Sequence, residues 1–227
     1  MGKTFSASAV VDGVVYAIGP GGVERLTGDA TRWERVYEGD AFPVSHTSAG
    51  AVDSLIYVIG GYPAERGRAV AFDTRTNRVV EVPDIPGAKP GDHFRIVAVL
   101  MNELHVIGGY DGERFVPLNQ HWVLRGSEWS ESTRTPEPVW AKFSVHATVG
   151  DRLYIFSEGP SLCYHASTNT WHAVEPCPAR LLVMPGSIVL GTKIVVIGGV
   201  LSDGTPNGVL VYDCESNSWS GPGVLLE

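Results

Sequence analysis

The segment Leu55-Ile56-Tyr57-Val58-Ile59-Gly60-Gly61 returns along the whole chain, and a recurring segment restricts the possible folds more than any bulk property. Its relatives are Val14-Val15-Tyr16-Ala17-Ile18-Gly19, Leu104-His105-Val106-Ile107-Gly108-Gly109, Leu153-Tyr154-Ile155-Phe156-Ser157 and Ile194-Val195-Val196-Ile197-Gly198-Gly199. Counted from the first glycine, or the aligned Ser157, the successive intervals are 41, 48, 49 and 41 residues. Five units of this length suit a blade-type array sharing one continuous core, so a single domain is predicted over residues 1–227. Its blades span approximately 4–40, 41–86, 87–136, 137–178 and 179–222.

Within each unit, apolar and β-branched runs of about 4–8 residues alternate with Asp, Gly, Asn and Pro clusters, and no helical period is sustained. The class is all-β, with four strands per unit. The first unit reads as strands over Phe5 to Val11, Val14 to Gly19, Gly22 to Leu26 and Arg32 to Tyr37. Asp12-Gly13 supplies the positive φ of a two-residue hairpin turn. In the third unit the strands run over Asp92 to Leu100, Glu103 to Gly109, Leu118 to Leu124 and Glu128 to Ser130; the fifth begins at Leu181. The 27 Gly and 15 Pro fit many short strands joined by turns. A four-stranded antiparallel sheet of this size cannot bury both faces alone. Neighbouring sheets must therefore stack face to face, which predicts a closed five-bladed β-propeller. With each unit complete, closure rests on packing between the first and last blades; the alternatives are pairing of Gly223-Val224-Leu225-Leu226 beside an edge strand, or a sixth repeat lost from a longer parent.

The residues that recur at fixed places in the unit resemble the kelch repeat. They are the Gly pairs at 60–61, 108–109 and 198–199, the endings Phe72-Asp73 and Tyr212-Asp213, and Trp33, Trp129, Trp171 and Trp219. Asp213 to Trp219 is six residues, as are Thr27 to Trp33 and His165 to Trp171. The resemblance implies a propeller in which these tryptophans pack between blades. Three places depart from it: Val79 stands where the second unit should carry Trp, Arg125 to Trp129 is shortened, and Ser157-Glu158 replaces the Gly pair.

A net charge of -8 and a pI near 5.3 oppose binding to nucleic acid or an anionic membrane surface. Cys163, Cys177 and Cys214 are an odd, widely spaced set without a CxxC pair, and read as buried thiols. No apolar leader follows Met1, which predicts a cytoplasmic protein. No metal or cofactor is expected, and a monomer is.

In a propeller the loops after each second strand and between blades gather around the channel mouth, where a rigid scaffold can present function. The candidate ligand-binding residues there are Tyr62, Arg66, Arg68, Tyr110, Arg114 and Trp140, a mixture of aromatics and arginines suited to recognition. Near the rim lie His46, His93 and Arg95, with Phe5, His46, Phe94, Phe143 and Met184 at one equivalent position in the five units. Converging imidazoles suit proton transfer or metal binding, but no HxH or HxxxH spacing fixes a shared geometry, and a structural role fits them better. Gly19-Pro20-Gly21-Gly22 precedes a strand, not a helix, and is a turn; Asp111-Gly112-Glu113 lacks the ligand series of a calcium loop.

Two function classes remain open on the sequence. The kelch resemblance implies a binding module that offers the channel-mouth face to a protein or peptide partner. Arginines at the mouth would suit an acidic ligand, including an acidic small molecule. The alternative is a small-molecule enzyme at the same mouth, of the sugar isomerase or metal-dependent kind found among kelch-like propellers; no catalytic pattern matches residue by residue.

Overall fold

Short β-branched runs separated by two- to four-residue turns favour local antiparallel pairing. That pairing builds the computed structural model, which describes residues 7–43, 45–62, 69–89, 92–139, 144–157, 161–178, 185–198 and 208–223. Sheet 1 contains β1 (Ala7–Val11), β2 (Val14–Gly19), β3 (Gly21–Leu26) and β4 (Trp33–Gly39); sheet 2 contains β5 (Ser45–Val52), β6 (Leu55–Tyr62), β7 (Ala69–Asp73) and β8 (Arg78–Glu81). Sheet 3 is formed by β9 (Ile96–Leu100), β10 (Glu103–Ile107), β13 (His121–Arg125) and β14 (Glu128–Glu131), and a small hairpin of β11 (Tyr110–Asp111) and β12 (Val116–Pro117) interrupts it. Sheet 4 has β15 (Ser144–Val149), β16 (Arg152–Ser157), β17 (Leu162–His165) and β18 (Thr170–Ala173). Sheet 5 has β19 (Gly186–Leu190), β20 (Lys193–Ile197), β21 (Val209–Asp213) and β22 (Ser218–Gly223). Every sheet is four-stranded and antiparallel in meander order, and no helix occurs among the described residues. Asp12 and Gly13 have φ of 49° and 77°, the pair of positive values that the hairpin turn requires.

Period-two alternation gives each sheet two apolar faces, and four hydrophobic clusters join the sheets in sequence. Tyr16, Ile18 and Val23 of sheet 1 meet Ile56, Val58 and Phe72 of sheet 2. Tyr57, Ile59 and Ala71 on the opposite face of sheet 2 meet Leu104, Val106 and Leu124 of sheet 3. The pattern repeats between sheets 3 and 4 through Ile96, Ile107, Leu153 and Tyr164, and between sheets 4 and 5 through Tyr154, Phe156, Ile194 and Tyr212. The first strands β1, β5, β9, β15 and β19 adjoin one another in order and form the inner edge of the stack.

The recurring tryptophans hold these interfaces by polar as well as apolar contact. Trp129, Trp171 and Trp219 each donate the indole N–H to a backbone carbonyl of the preceding sheet, at Pro83, Thr133 and Glu175, over 2.7, 2.8 and 3.0 Å. Two residues before Trp219, the Asn217 side-chain oxygen accepts the Glu175 N–H at 2.8 Å and the Tyr212 hydroxyl at 2.6 Å. Asn169 does the same for the Thr133 N–H and the Tyr164 hydroxyl. One residue of the preceding sheet, Glu175 or Thr133, is thus gripped at both its backbone N–H and its C=O. At Pro83 no N–H exists to grip, and sheet 3 has no such asparagine.

Ring closure between the first and last sheets is where the structure departs from expectation. Among the described residues no cluster joins sheet 5 to sheet 1, and the five sheets form an open arc; Val10 and Trp33 at one end and Ile188, Leu190 and Ile197 at the other are exposed. Two positions on the faces that closure would bring together depart from the repeat. On the face of sheet 1 that a preceding sheet would cover, Glu24 stands where sheets 2 to 5 place Val70, Trp122, Leu162 and Leu210. Its carboxylate is buried and accepts a hydrogen bond from Arg35 at 3.1 Å. On the outward face of sheet 5, Ile188 stands where the occupied faces carry the small residues Ala9, Gly50, Ala98 and Ala147. At Gly50 an added Cβ would lie only 2.9 Å from Val97 of the next sheet, so the small residue is what lets that sheet approach.

Candidate ligand-binding face

Of the residues that the sequence places at the mouth, His46, His93, Phe94 and Tyr110 lie together where sheets 2 and 3 meet. His46, on β5, and Phe94, just before β9, hold the same place in their units and both adopt left-handed backbone, with φ of 61° and 53°. Bulky residues rarely take this conformation, and here it turns both rings toward each other at a centroid distance of 4.6 Å. His93 lies 4.6 Å from Phe94, 5.8 Å from His46 and 5.4 Å from Tyr110. His93 and Tyr110 also exchange backbone hydrogen bonds, which fastens β11 to the rim. The outcome is a continuous aromatic and imidazole cluster with the β11–β12 hairpin as its outer wall.

That hairpin is short but locked. The Asp111 carboxylate accepts the backbone N–H groups of Glu113 and Arg114, both at 2.9 Å, and these bonds hold its pKa below the usual carboxylate range. Lys89 donates to Glu113 at 2.7 Å from the preceding loop. The tip then carries Phe115, 72% exposed, beside the exposed Val116 and the Arg114 guanidinium. Tyr110 and Phe115 rings are 6.3 Å apart, so the exposed aromatic continues the cluster behind it.

Arg95 has a different role from the one its position suggested. It is 3% exposed, and its guanidinium donates to the Asp92 carboxylate at 3.1 Å and to the Gly108 carbonyl at 3.2 Å. Asp92 in turn accepts the Lys89 N–H at 3.0 Å. This buried pair occupies the stretch expected to begin the strand, which is why β9 starts at Ile96 instead of Asp92. The Gly pair follows from the same packing: a Cβ on Gly109 would lie 2.7 Å from the Arg95 stem, and both Gly108 and Gly109 have positive φ. Arg95 is therefore buried beneath the cluster of His46, His93, Phe94 and Tyr110, while Arg114 stands exposed on the hairpin beside it.

Tyr62 ends β6 opposite Ser45. Arg66, Arg68 and Trp140 lie outside the described residues, as do Phe5, Phe143, Glu158 and Met184. Phe115, Val116 and Asp92 are not among the site residues that the sequence points to, although an apolar Phe-Val pair inside a loop of turn formers is a legible signal. Among the described residues no three His, Cys, Asp or Glu side chains gather as metal ligands. The three cysteines are free thiols of the cluster between sheets 4 and 5; burial pushes Cys163 up to about 11 and raises Cys214, which makes both poor nucleophiles.

Comparison with known proteins finds one motif and several relatives. Residues 182–221, which include sheet 5, match the Kelch motif. Two kelch repeat-containing proteins of Arabidopsis thaliana are similar to the chain, one 28% identical over 66% of it and the other 26% identical over 67%. The last unit carries a Kelch motif, and most of the chain is similar to kelch repeat-containing proteins. The same repeat region is 26% identical, over 78% of the chain, to the leucine-zipper-like transcriptional regulator 1 homolog of Drosophila melanogaster. The chain spans between about a fifth and two fifths of the length of these curated relatives, the matched share being 21% of the Drosophila protein and 39% of each Arabidopsis one. Kelch identity accounts for the Gly pairs and the inter-sheet tryptophans. The locked hairpin with an exposed Phe115 is a feature of this chain's own third unit.

Proposed function

We propose that this kelch-repeat arc is a protein-binding module and that its ligand face is the mouth between sheets 2 and 3. The observation that carries the reading is the β11–β12 hairpin, which projects Phe115 into solvent from a backbone fixed by Asp111 and by the His93–Tyr110 bridge. An aromatic presented on a rigid loop loses little conformational entropy on docking, and it can fill an apolar pocket of a partner. Arg114 beside it selects a partner with a carboxylate at the pocket rim, through charge-assisted hydrogen bonds. Arg66 and Arg68 belong to the corresponding loop of sheet 2 by sequence position and are assigned to the same face. The kelch-repeat relatives support a protein-interaction role in general.

The test is affinity capture from extract of the source cells with the intact chain, comparing wild type with Phe115→Ala, Arg114→Ala and Arg66→Ala, and using Arg32→Ala on the outer turn of sheet 1 as control. Partners captured by wild type and the control should be depleted with Phe115→Ala and Arg114→Ala. Equal capture by all variants would overturn the assignment.

A further inference from the structure

A second site lies at the opposite end of the same two sheets, and it arises from one shortened turn. In sheets 2, 4 and 5 the connection between third and fourth strands has four residues, and its first member, Thr74, Ala166 or Cys214, donates its N–H to a carbonyl of the turn between first and second strands, at Ser54, Asp151 or Thr192. Ala166 and Cys214 then pack against the core with the preceding sheet. Sheet 3 has only Gly126-Ser127 between Arg125 and Glu128. Gly126 brings no side chain, and a Cβ built there meets nothing within 4 Å. Leu124 also replaces the tyrosine that sheets 4 and 5 place at this position, Tyr164 and Tyr212.

The space left is a cleft of about 470 Å³ between sheets 2 and 3. Leu55, Tyr57, Leu104 and Leu124 give it apolar walls, and Asp53 and Arg125 stand among its polar lining. Arg125 is committed to Glu103, its Nε donating to the Glu103 carboxylate at 2.6 Å. The Asp53 carboxylate, exposed, receives the neutral amide of Asn102 at 3.2 Å. The rim thus combines one internally balanced ion pair with one carboxylate whose hydrogen-bond donor here is uncharged. An acidic chain of net charge -8 adds a favourable field for a cation.

We propose that this cleft binds a primary ammonium or guanidinium group on an unbranched apolar stem, as borne by a lysine or arginine side chain of a peptide. The stem lies against the leucines and Tyr57, as long cationic side chains do on apolar surface, and the head meets Asp53. This site is separate from the channel-mouth face and does not depend on it.

The experiment is an amide NMR titration of the intact chain with n-butylammonium chloride, with sodium butyrate at equal ionic strength as the reference. Saturable shifts of the Gly126 and Asn102 amides are expected with the ammonium and not with butyrate. Asp53→Asn suits the left-handed backbone at that residue (φ 51°) and should raise Kd at least about fivefold. Gly126→Asn, also tolerated at positive φ, should fill the cleft and abolish the shifts while the rest of the spectrum stays unchanged. Absence of shifts in wild type, equal response to butyrate, or undiminished affinity in Asp53→Asn would each overturn the proposal.

Discussion

Asn217 shows how much of an inter-sheet contact one residue can carry. It sits in left-handed backbone (φ 50°) and accepts two hydrogen bonds, one from the preceding sheet. Asn217→Gly keeps the backbone accessible but removes the acceptor, and it should lower unfolding free energy by about 1 kcal/mol. Asn217→Ala adds backbone strain and should lose more, both read by urea denaturation; an unchanged midpoint for both would remove the clamp from the account of stability. Trp219 is half-buried, so Trp219→Ala should fall below the ~3–5 kcal/mol of a fully buried aromatic. A different residue-scale effect comes from His105 and His121, buried between sheets 3 and 4 with Nδ1 and Nε2 2.9 Å apart. Burial pulls both below the ordinary 6.5, to about 4 and about 3, with the Arg125 charge acting second on His105 and the His105 charge second on His121. The pair is therefore neutral when folded, whereas each imidazole takes up a proton below about pH 6.5 once unfolded. The unfolded chain binds more protons over that window, so stability present above pH 6.5 should decline as pH falls toward 4. Part-buried His146, lowered by desolvation, acts in the same direction. Denaturant midpoints should drop more between pH 7.5 and pH 5 for wild type than for the His105→Gln, His121→Gln double variant; parallel declines would exclude the pair as the cause.

At the scale of the element, the β11–β12 hairpin depends on side-chain acceptors because two-residue strands supply almost no ladder of their own. Asp111→Ala should therefore raise hydrogen exchange at the Glu113 and Arg114 amides by at least about fivefold while the β10 amides keep their protection, and unchanged exchange would show that the loop is held by other contacts. The same contrast explains what the sequence made legible. β2 follows from local alternation and a two-residue turn, and its bounds, Val14–Gly19, match the expected ones. The long loop after Gly108 was visible as a loop, but its hairpin was not, since the bridge that sets it comes from His93, distant in sequence. Arg95 looked like a rim residue because position in the repeat is legible and side-chain direction is not; Asp92, three residues earlier, draws it inward. For the site, equivalence of His46 and Phe94 in the repeat foretold their convergence. Phe115 stands out less, because turn chemistry around Asp111 dominates that stretch.

For the whole molecule, the repeat fixed how each sheet meets the next, but not whether the series returns to its start. Closure needs the outward face of sheet 5 to fit the outward face of sheet 1, and both faces depart from the repeat, at Ile188 and at Glu24. Sheet 5 offers a direct test because its two faces differ in environment within one strand pair. Ile194 is fully buried against sheet 4, while Ile188, on the adjoining strand, is 49% exposed. Threonine preserves β-branching at either place, so strand preference is held nearly constant and burial decides the outcome. Ile194→Thr loses packing and buries a hydroxyl, and should lower stability by about 2–4 kcal/mol. Ile188→Thr leaves its hydroxyl in water, and should change stability by no more than about 0.5–1 kcal/mol. Urea denaturation of the intact chain distinguishes the two arrangements. If the first and last sheets packed into a closed ring in solution, Ile188 would be buried there, and its replacement would be as damaging as that of Ile194.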